Sequence, residues 1–148
     1  MASSHVELVR ALYTYTQSAG NLCAAYEDED WVGSSVAAFG HLAHPELEFV
    51  LVRGEVVGGD VYRGVEGFME GMRDWLRDWE RYEIEAEGFM DLGDRVLVLT
   101  LERGVSRSGG VPVVERGGVV YSFADDKIAR VETYLNRSTA LSAVGIKE

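Results

Sequence analysis

Side chains with the potential for chemistry are few in this chain, and neither the three histidines nor the cysteine stands in a known motif. His5 lies near the N-terminus, and His41 and His44 close a predicted helix without a third ligand at zinc-binding spacing. Cys23 has no basic neighbour to activate it, so we expect a small buried or half-buried apolar side chain. Motifs for a serine nucleophile, a phosphate loop or a dinucleotide are also absent from the sequence. We therefore predict neither a metal nor a cofactor.

Carboxylates are the remaining candidates for acid and base chemistry, which needs a titratable group within reach of a substrate. Several acidic side chains in predicted strands and loops have no assigned role: Glu48, Asp60, Glu115 and Glu132. Which face of the sheet a strand residue occupies depends on the register of pairing, because a slip of one residue moves every side chain to the other face. The choice among these carboxylates is therefore left open.

Composition and charge limit the partners of the chain. With 148 residues, of which 47% are hydrophobic, the chain has the size of one domain, 1–148, and enough apolar residues for a core. A net charge of −11 argues against nucleic acid and anionic membranes, because both bind basic surfaces. The N-terminus lacks a signal-peptide core, and no run of about 18 apolar residues is present to span a membrane. Together with a single cysteine, this predicts a cytoplasmic protein.

Periodicity predicts three helical segments and then a series of strands. Apolar residues recur at helical spacing in three stretches: 4–19, 31–43 and 65–81. The stretch 47–52 has the composition of a strand, and the glycine-rich stretch 53–64 is interpreted as a hairpin or a loop. From Tyr82 onward, apolar or alternating runs separated by turns predict antiparallel strands, one of them with a bulge or bend at Gly117 and Gly118. This order of elements predicts an α+β fold.

The stretch GFMEGMRDWLRDWERY, residues 67–82, is unusually aromatic for an acidic chain. Its large apolar side chains fall on one face of the predicted helix, opposite the charged ones: Phe68, Met72, Trp75, Leu76 and Trp79. We expect this face to lie against a sheet. The two tryptophans are then either plain core residues or part of the wall of a cavity, and both alternatives stay open.

Four short motifs, taken in order, resemble those of a known family. They are YRGVEGF at 62–68, DLGDRVLV at 91–98, SRSGG at 106–110 and DDKIARVETYLNRSTAL at 125–141. Over residues 5–145 the chain resembles the SnoaL-like branch of the nuclear transport factor 2-like superfamily, which includes ketosteroid isomerases, limonene-type epoxide hydrolases and polyketide cyclases. The resemblance implies a cone-shaped α+β barrel, in which a curved, mainly antiparallel sheet packs around three N-terminal helical segments. It also implies an apolar pocket and a homodimer formed through the sheet.

The resemblance to ketosteroid isomerases and polyketide cyclases identifies positions where the acid and base groups of those enzymes are replaced. Tyr13 matches the isomerase tyrosine that donates a hydrogen bond to the enolate oxygen. Phe49 stands at the position of the isomerase base, and Val119 at that of its second acid. Thr133 stands at the position of the cyclase aspartate. A hydroxyl does not act as a carboxylate base at neutral pH, so each of these chemistries lacks its base.

Arg103 matches the arginine of the epoxide hydrolases, but Val105 replaces the aspartate that accompanies it. By alternation along the strand, Arg103 shares a face with Leu97, Leu99 and Leu101, and we expect this face to line the pocket. An arginine at the end of an apolar pocket would bind a carboxylate, phenolate or enolate oxygen. The alternative is that Arg103 pairs across the sheet with Glu115 or with neighbours of Glu102 and binds no ligand.

These expectations give a set of candidate site residues. The catalytic candidates are Tyr13 and Arg103. The substrate-binding candidates are Trp75, Trp79, Phe49, Val119, Tyr121 and Thr133. The expected partner is a small apolar or aromatic molecule.

Three functions are compatible with the sequence. The first is an enzyme that works without a cofactor, by acid and base chemistry such as isomerisation, cyclisation, dehydration or hydrolysis. The second is a binding protein without catalysis, and the third is a dimeric interaction module whose pocket is filled by its own side chains. A carboxylate or histidine inside an open pocket distinguishes the first from the others.

Overall fold

The computed structural model describes residues 4–52 and 61–146, which form a mixed fold of helices and strands. The helices are α1 (Ser4–Ala19), α2 (Leu22–Ala25), α3 (Glu29–Leu42), α4 (Gly64–Leu76) and α5 (Arg137–Ala143). The strands are β1 (Ala43–Val52), β2 (Val61–Arg63), β3 (Trp79–Asp91), β4 (Arg95–Ser106), β5 (Pro112–Ala124) and β6 (Lys127–Tyr134). The α+β class is confirmed. Most of the stretch that was interpreted as a hairpin or loop lies outside the described residues.

All six described strands belong to one curved sheet with the order β2-β1-β6-β5-β4-β3. Neighbouring strands are antiparallel except β1 and β6, which run parallel. Because β2 and β3 are edge strands, the sheet curves around the helices without closing into a barrel. Its inner face packs against α1 and α4, and α5 covers part of the outer face over β5 and β6.

The acidic run at residues 27–30 starts a helix. The Asp28 carboxylate accepts hydrogen bonds from the backbone N–H groups of Asp30 and Trp31, which caps α3, and Glu29 adds negative charge to its first turn. α3 therefore begins before the predicted boundary at Trp31. Within the part of the chain that the structure describes, no helix has both the length and the apolar character needed to cross a membrane.

The aromatic helix is shorter than its amphipathic pattern predicts. α4 ends at Leu76, and Trp79 is the first residue of β3. The guanidinium of Arg107 donates hydrogen bonds to the carbonyl oxygens of Arg77 and Trp79, at 3.0 Å and 3.2 Å. These bonds hold the reversal of the chain in place. The assignment of Trp79 to the helical face is therefore wrong, because contacts with the β4–β5 loop override a local pattern that would continue the helix to residue 81.

The two glycines in the middle of β5 allow close approach on both faces of the sheet. The pairing of β5 with β4 runs through Gly117 and Gly118 without a shift in register, so the expected bulge is absent there. A Cβ atom on Gly118 would lie 2.6 Å from the Cβ of Ala140 in α5. A Cβ atom on Gly117, on the inner face, would lie 2.5 Å from the backbone oxygen of Tyr134 and 3.1 Å from Oε2 of Glu102. The pair thus makes room for a helix on one face and for a carboxylate on the other.

Replacing Gly118 with alanine is expected to lower the free energy of unfolding by about 1–3 kcal/mol, since α5 has to move away from the sheet. Urea unfolding followed by circular dichroism measures this change. The control is Gly88→Ala, at a strand position where the nearest atom to the new Cβ is 3.7 Å away. Equal effects of the two substitutions would contradict the close packing of α5.

Candidate functional site

A cavity of about 100 Å³, here called the first chamber, lies between the helices and the inner face of the sheet. Most of its wall is apolar or aromatic. Six of the predicted site residues line it together: Tyr13, Phe49, Trp75, Val119, Tyr121 and Thr133. Of the two alternatives for the tryptophans, Trp75 therefore belongs to the wall of a cavity.

Glu102 is the charged side chain among the described residues that line the first chamber. Only 7% of its surface is exposed. The Tyr82 hydroxyl, on the neighbouring strand, donates a hydrogen bond of 2.6 Å to its Oε1 atom. The Trp75 indole in turn hydrogen-bonds the Tyr82 hydroxyl. The last turn of α4, the start of β3 and the middle of β4 thus position one carboxylate in an apolar chamber.

The pKa of Glu102 is raised above its ordinary value. Burial is the largest cause, because a charge loses its hydration inside an apolar wall, and the negative charge of Glu115 adds to it. The hydrogen bond from Tyr82 opposes this effect by stabilising the ionised form. Burial and the charge of Glu102 raise the pKa of Tyr82 itself, so its hydroxyl stays protonated and keeps donating. The result is a carboxyl group that changes its charge closer to neutral pH than an exposed glutamate does.

A pair of hydroxyls forms the second polar group of the first chamber. The hydroxyl oxygens of Tyr13 and Tyr121 lie 2.9 Å apart and share one hydrogen bond. Burial raises the pKa of Tyr121 to about 12 and that of Tyr13 well above its usual value, and the charge of Glu102 contributes to the shift of Tyr13. Both hydroxyls are therefore protonated at neutral pH. One proton is used in the shared bond, and the other is available to a ligand oxygen.

Arg103 lies on the opposite face of the sheet. Its guanidinium is about half exposed and forms an ion pair with Glu85 at 3.3 Å. The expectation that the face of β4 carrying Arg103 lines the pocket is wrong, because the other face, carrying Thr100 and Glu102, is turned inward. The structure has the alternative arrangement, an ion pair across the sheet, but the partner is Glu85 and not Glu115.

Trp79 is absent from the wall of the first chamber, yet it supports that wall from behind. Its ring packs on the rings of Trp75 and Tyr82, with centroids 6.0 Å and 5.0 Å away. It also lies over the backbone of Gly104, where an added Cβ would be 2.6 Å from the indole. The contact restrains the two side chains that connect to Glu102.

The sequence pattern does not identify Glu102 and Tyr82 as site residues. Every residue from Val96 to Leu101 except Thr100 is apolar, so alternation alone does not tell which face is inner. The available signal was Gly117, since a residue without a side chain on a covered strand indicates close approach of another group. Glu102 lies two positions from Thr100, the residue paired with Gly117, and therefore on the same face of β4.

A larger cavity of about 300 Å³, the second chamber, adjoins the first between α1, α3 and α4. Six described residues line both chambers: Leu12, Thr16, Tyr26, Trp31, Phe68 and Tyr121. Ala11 of α1 and Ala38 of α3 also line the second chamber and are exposed, which places its mouth between these two helices. Trp31 stacks on Tyr15 beside this mouth, with ring centroids 5.6 Å apart.

Replacing Tyr82 with phenylalanine is expected to lower the free energy of unfolding at neutral pH by about 1.5–3 kcal/mol, because Glu102 loses a hydrogen bond to a charged group. Urea unfolding of Y82F, E102Q and the double variant Y82F/E102Q measures the coupling energy between the two side chains. We expect Y82F to be less harmful when residue 102 is glutamine. Strict additivity would contradict a direct bond between the two side chains.

Glu102 should also make stability depend on pH. Since the pKa of Glu102 is raised in the folded protein, its contribution is fully present below the pKa of the unfolded chain and is lost as the pH rises through the folded value. The free energy of unfolding of the wild type should therefore fall relative to that of Glu102→Gln over that range. Unfolding curves at a series of pH values measure this difference. A difference in the free energy of unfolding that did not change with pH would contradict the expectation.

Comparison with known proteins gives the family. The sequence matches the profile of the SnoaL-like domain over residues 21–131. None of the curated protein sequences compared with the chain matches it significantly. Three solved structures illustrate the likeness of fold, at sequence identities too low to show more than that.

A nuclear transport factor 2-like protein from Burkholderia thailandensis is 18% identical with a TM-score of 0.69, over 96% of each chain. A protein described as a SnoaL-like polyketide cyclase, from Jannaschia sp. CCS1, is 16% identical with a TM-score of 0.65, over 90% of this chain and 89% of its own. TerC, crystallised with polyporic acid, is 17% identical with a TM-score of 0.64, over 96% of this chain and 98% of its own. With a profile match that spans well over half of its residues and a fold shared with these structures, the chain belongs to the SnoaL-like family.

Proposed function

We propose that the protein is a cofactor-independent enzyme that transfers protons on an apolar small molecule, with Glu102 as the acid and base. The observation that carries this proposal is the buried Glu102 carboxylate, bonded to Tyr82, in the wall of an apolar chamber. Substrates of the proposed kind would lie against Phe49, Val119 and the other apolar side chains of the wall. The similarity of fold to a protein described as a polyketide cyclase, and to TerC, which was crystallised with polyporic acid, supports a small-molecule substrate.

The two polar groups of the first chamber are suited to proton transfer next to a carbonyl group. Ionised Glu102 would take a proton from the carbon beside the carbonyl, and the C–H electron pair would form the carbon–carbon double bond of an enolate. The free proton of the Tyr13 and Tyr121 pair would hydrogen-bond the oxygen on which the charge develops. In an isomerisation, protonated Glu102 would then return the proton to another carbon of the substrate as the carbonyl re-forms. In a cyclisation, the enolate carbon would instead form a bond to a second carbonyl carbon of the substrate, and Glu102 would give its proton to the oxygen of that carbonyl.

The raised pKa of Glu102 fits this role. A general base is most effective when its pKa lies near the working pH, and burial moves a carboxyl group in that direction. Tyr82 fixes the orientation of the carboxylate through its hydrogen bond to Oε1. In this proposal Tyr82 and Trp75 are positioning residues.

A binding protein without catalysis is the second candidate. It is favoured by Phe49, Val119 and Thr133, which line the chamber and which the family resemblance matches to acid and base groups of the isomerases and cyclases. The interaction module is the weakest of the three candidates, since two open chambers argue against a pocket filled by its own side chains. A cytoplasmic location, inferred from the single cysteine, and a homodimer formed through the sheet, implied by the family resemblance, remain part of the proposal.

Hydrogen–deuterium exchange tests the proposed chemistry without knowledge of the natural substrate. In D₂O, we expect the wild type to speed the exchange of the α-protons of 2-tetralone, an apolar aromatic ketone, as followed by proton NMR. Replacing Glu102 with glutamine should slow the catalysed exchange on the order of 100-fold or more, the usual contribution of a general base. Arg103→Gln is the matched control, and it should leave the rate unchanged because Arg103 lies on the outer face of the sheet.

The pH profile gives a second readout of the same experiment. Catalysed exchange should rise with pH through the raised pKa of Glu102 and then level off, because only the ionised form accepts a proton. Exchange at equal rates in the wild type and in Glu102→Gln would contradict the enzyme proposal. Binding of the ketone without any catalysed exchange would favour the binding protein.

A further inference from the structure

The first chamber is small for a binding site that holds a whole ligand. Sites for small molecules usually enclose about 300–1,000 Å³, whereas the chamber with Glu102 has about 100 Å³. The second chamber has about 300 Å³ and shares six described lining residues with the first. Within the described residues, the second chamber adjoins the first, so a molecule that reaches Glu102 with its polar end would find space there for its remaining atoms.

The linings of the two chambers differ in polarity, so they suit different ends of a ligand. The first holds Glu102 and the hydroxyls of Tyr13 and Tyr121. None of the described residues that line the second carries a charge, and its wall consists mainly of alanine, leucine, phenylalanine and other apolar side chains. An alkyl or aryl tail placed there is removed from water without burying a charged side chain, which is favourable.

We propose that the two chambers are the two ends of one binding site, which takes an elongated molecule with an uncharged polar head at Glu102 and an apolar tail in the second chamber. This inference rests on the proposed function for the place of the head. The tail extends between α1 and α3 towards the exposed mouth at Ala11 and Ala38.

The charge of the head follows from the first chamber. Glu102 is the charged group of its described lining, and Glu115 adds negative charge nearby. An anionic head would lose its hydration and face this negative charge with no described basic side chain in the wall to compensate. A carbonyl head instead accepts a hydrogen bond from the tyrosine pair. The site therefore selects ketones over carboxylates of the same shape.

A series of 4-alkylacetophenones tests this site by binding alone. Trp31 and Trp75 line the chambers, so quenching of the intrinsic fluorescence reports occupancy. Acetophenone, 4-butylacetophenone and 4-hexylacetophenone should bind with affinities that increase by roughly fourfold for each methylene group until the second chamber is full. The corresponding 4-alkylbenzoates, which carry an anionic head, should bind at least about tenfold more weakly.

Ala38→Phe fills the mouth of the second chamber, and Ala37→Phe is its matched control on the same helix. Both alanines are exposed, but only Ala38 lines the chamber. We expect A38F to remove the gain in affinity from the alkyl tail while acetophenone binds as before, and A37F to bind the whole series like the wild type. Circular dichroism confirms that both variants fold.

The outcomes separate this inference from the proposed function. Affinities that do not depend on tail length, equal binding of the series by A38F and A37F, or equal binding of ketones and benzoates would each overturn the two-chamber site. Failure of the enzyme proposal is read instead from α-proton exchange in Glu102→Gln. A protein that binds long ketones through the second chamber without exchanging their protons would keep the site and lose the chemistry.

Discussion

Keeping one carboxylate away from water is the constraint on which the rest of the structure depends. An ionised group in an apolar environment is stable only when donors replace its lost hydration. For Glu102 the donor is Tyr82, and Tyr82 is held by Trp75 and Trp79. The end of α4, the reversal into β3 and the glycine in β5 opposite Thr100 all serve this arrangement.

The end of α4 shows how the fold and the site are linked. A helix continued to residue 81, as the local pattern predicts, would include Trp79 and would not deliver Tyr82 to a strand beside Glu102. The helix ends at Leu76, and the hydrogen bonds of Arg107 hold the reversal of the chain that follows. What was interpreted from the sequence as one aromatic face is therefore divided, with Trp75 in the wall of the first chamber and Trp79 packed behind it.

The order of elements was predictable from the sequence, and the identity of the charged site residue was not. Helical periodicity and alternating strands are local signals, so α1, α3 and the strands after Tyr82 were placed close to their observed bounds. Six of the eight candidate residues, from Tyr13 to Thr133, do line one chamber. The inner face of β4 depends on pairing with β3 and β5, and an apolar strand carries no local record of it. Glu102 and Arg103 are neighbours in β4, so the choice of its inner face decides which of the two lines the chamber.

The parallel pairing of β1 with β6 has a consequence for how the protein reaches its folded state. Glu48 in β1 and Arg130 in β6 form a hydrogen bond of 2.9 Å although they stand 82 positions apart in the chain. Closing so long a loop is slow, so the helices and the β3–β4 hairpin are expected to form well before β1 and β6 meet. Phe49 and Leu51 of β1 are part of the chamber wall, so the chamber stays open to water until β1 pairs with β6. During synthesis the same order holds, because the last strand leaves the ribosome after every other part of the sheet. The burial of charge is thus a late event of folding, and acid, which neutralises Glu102, should make that late step faster.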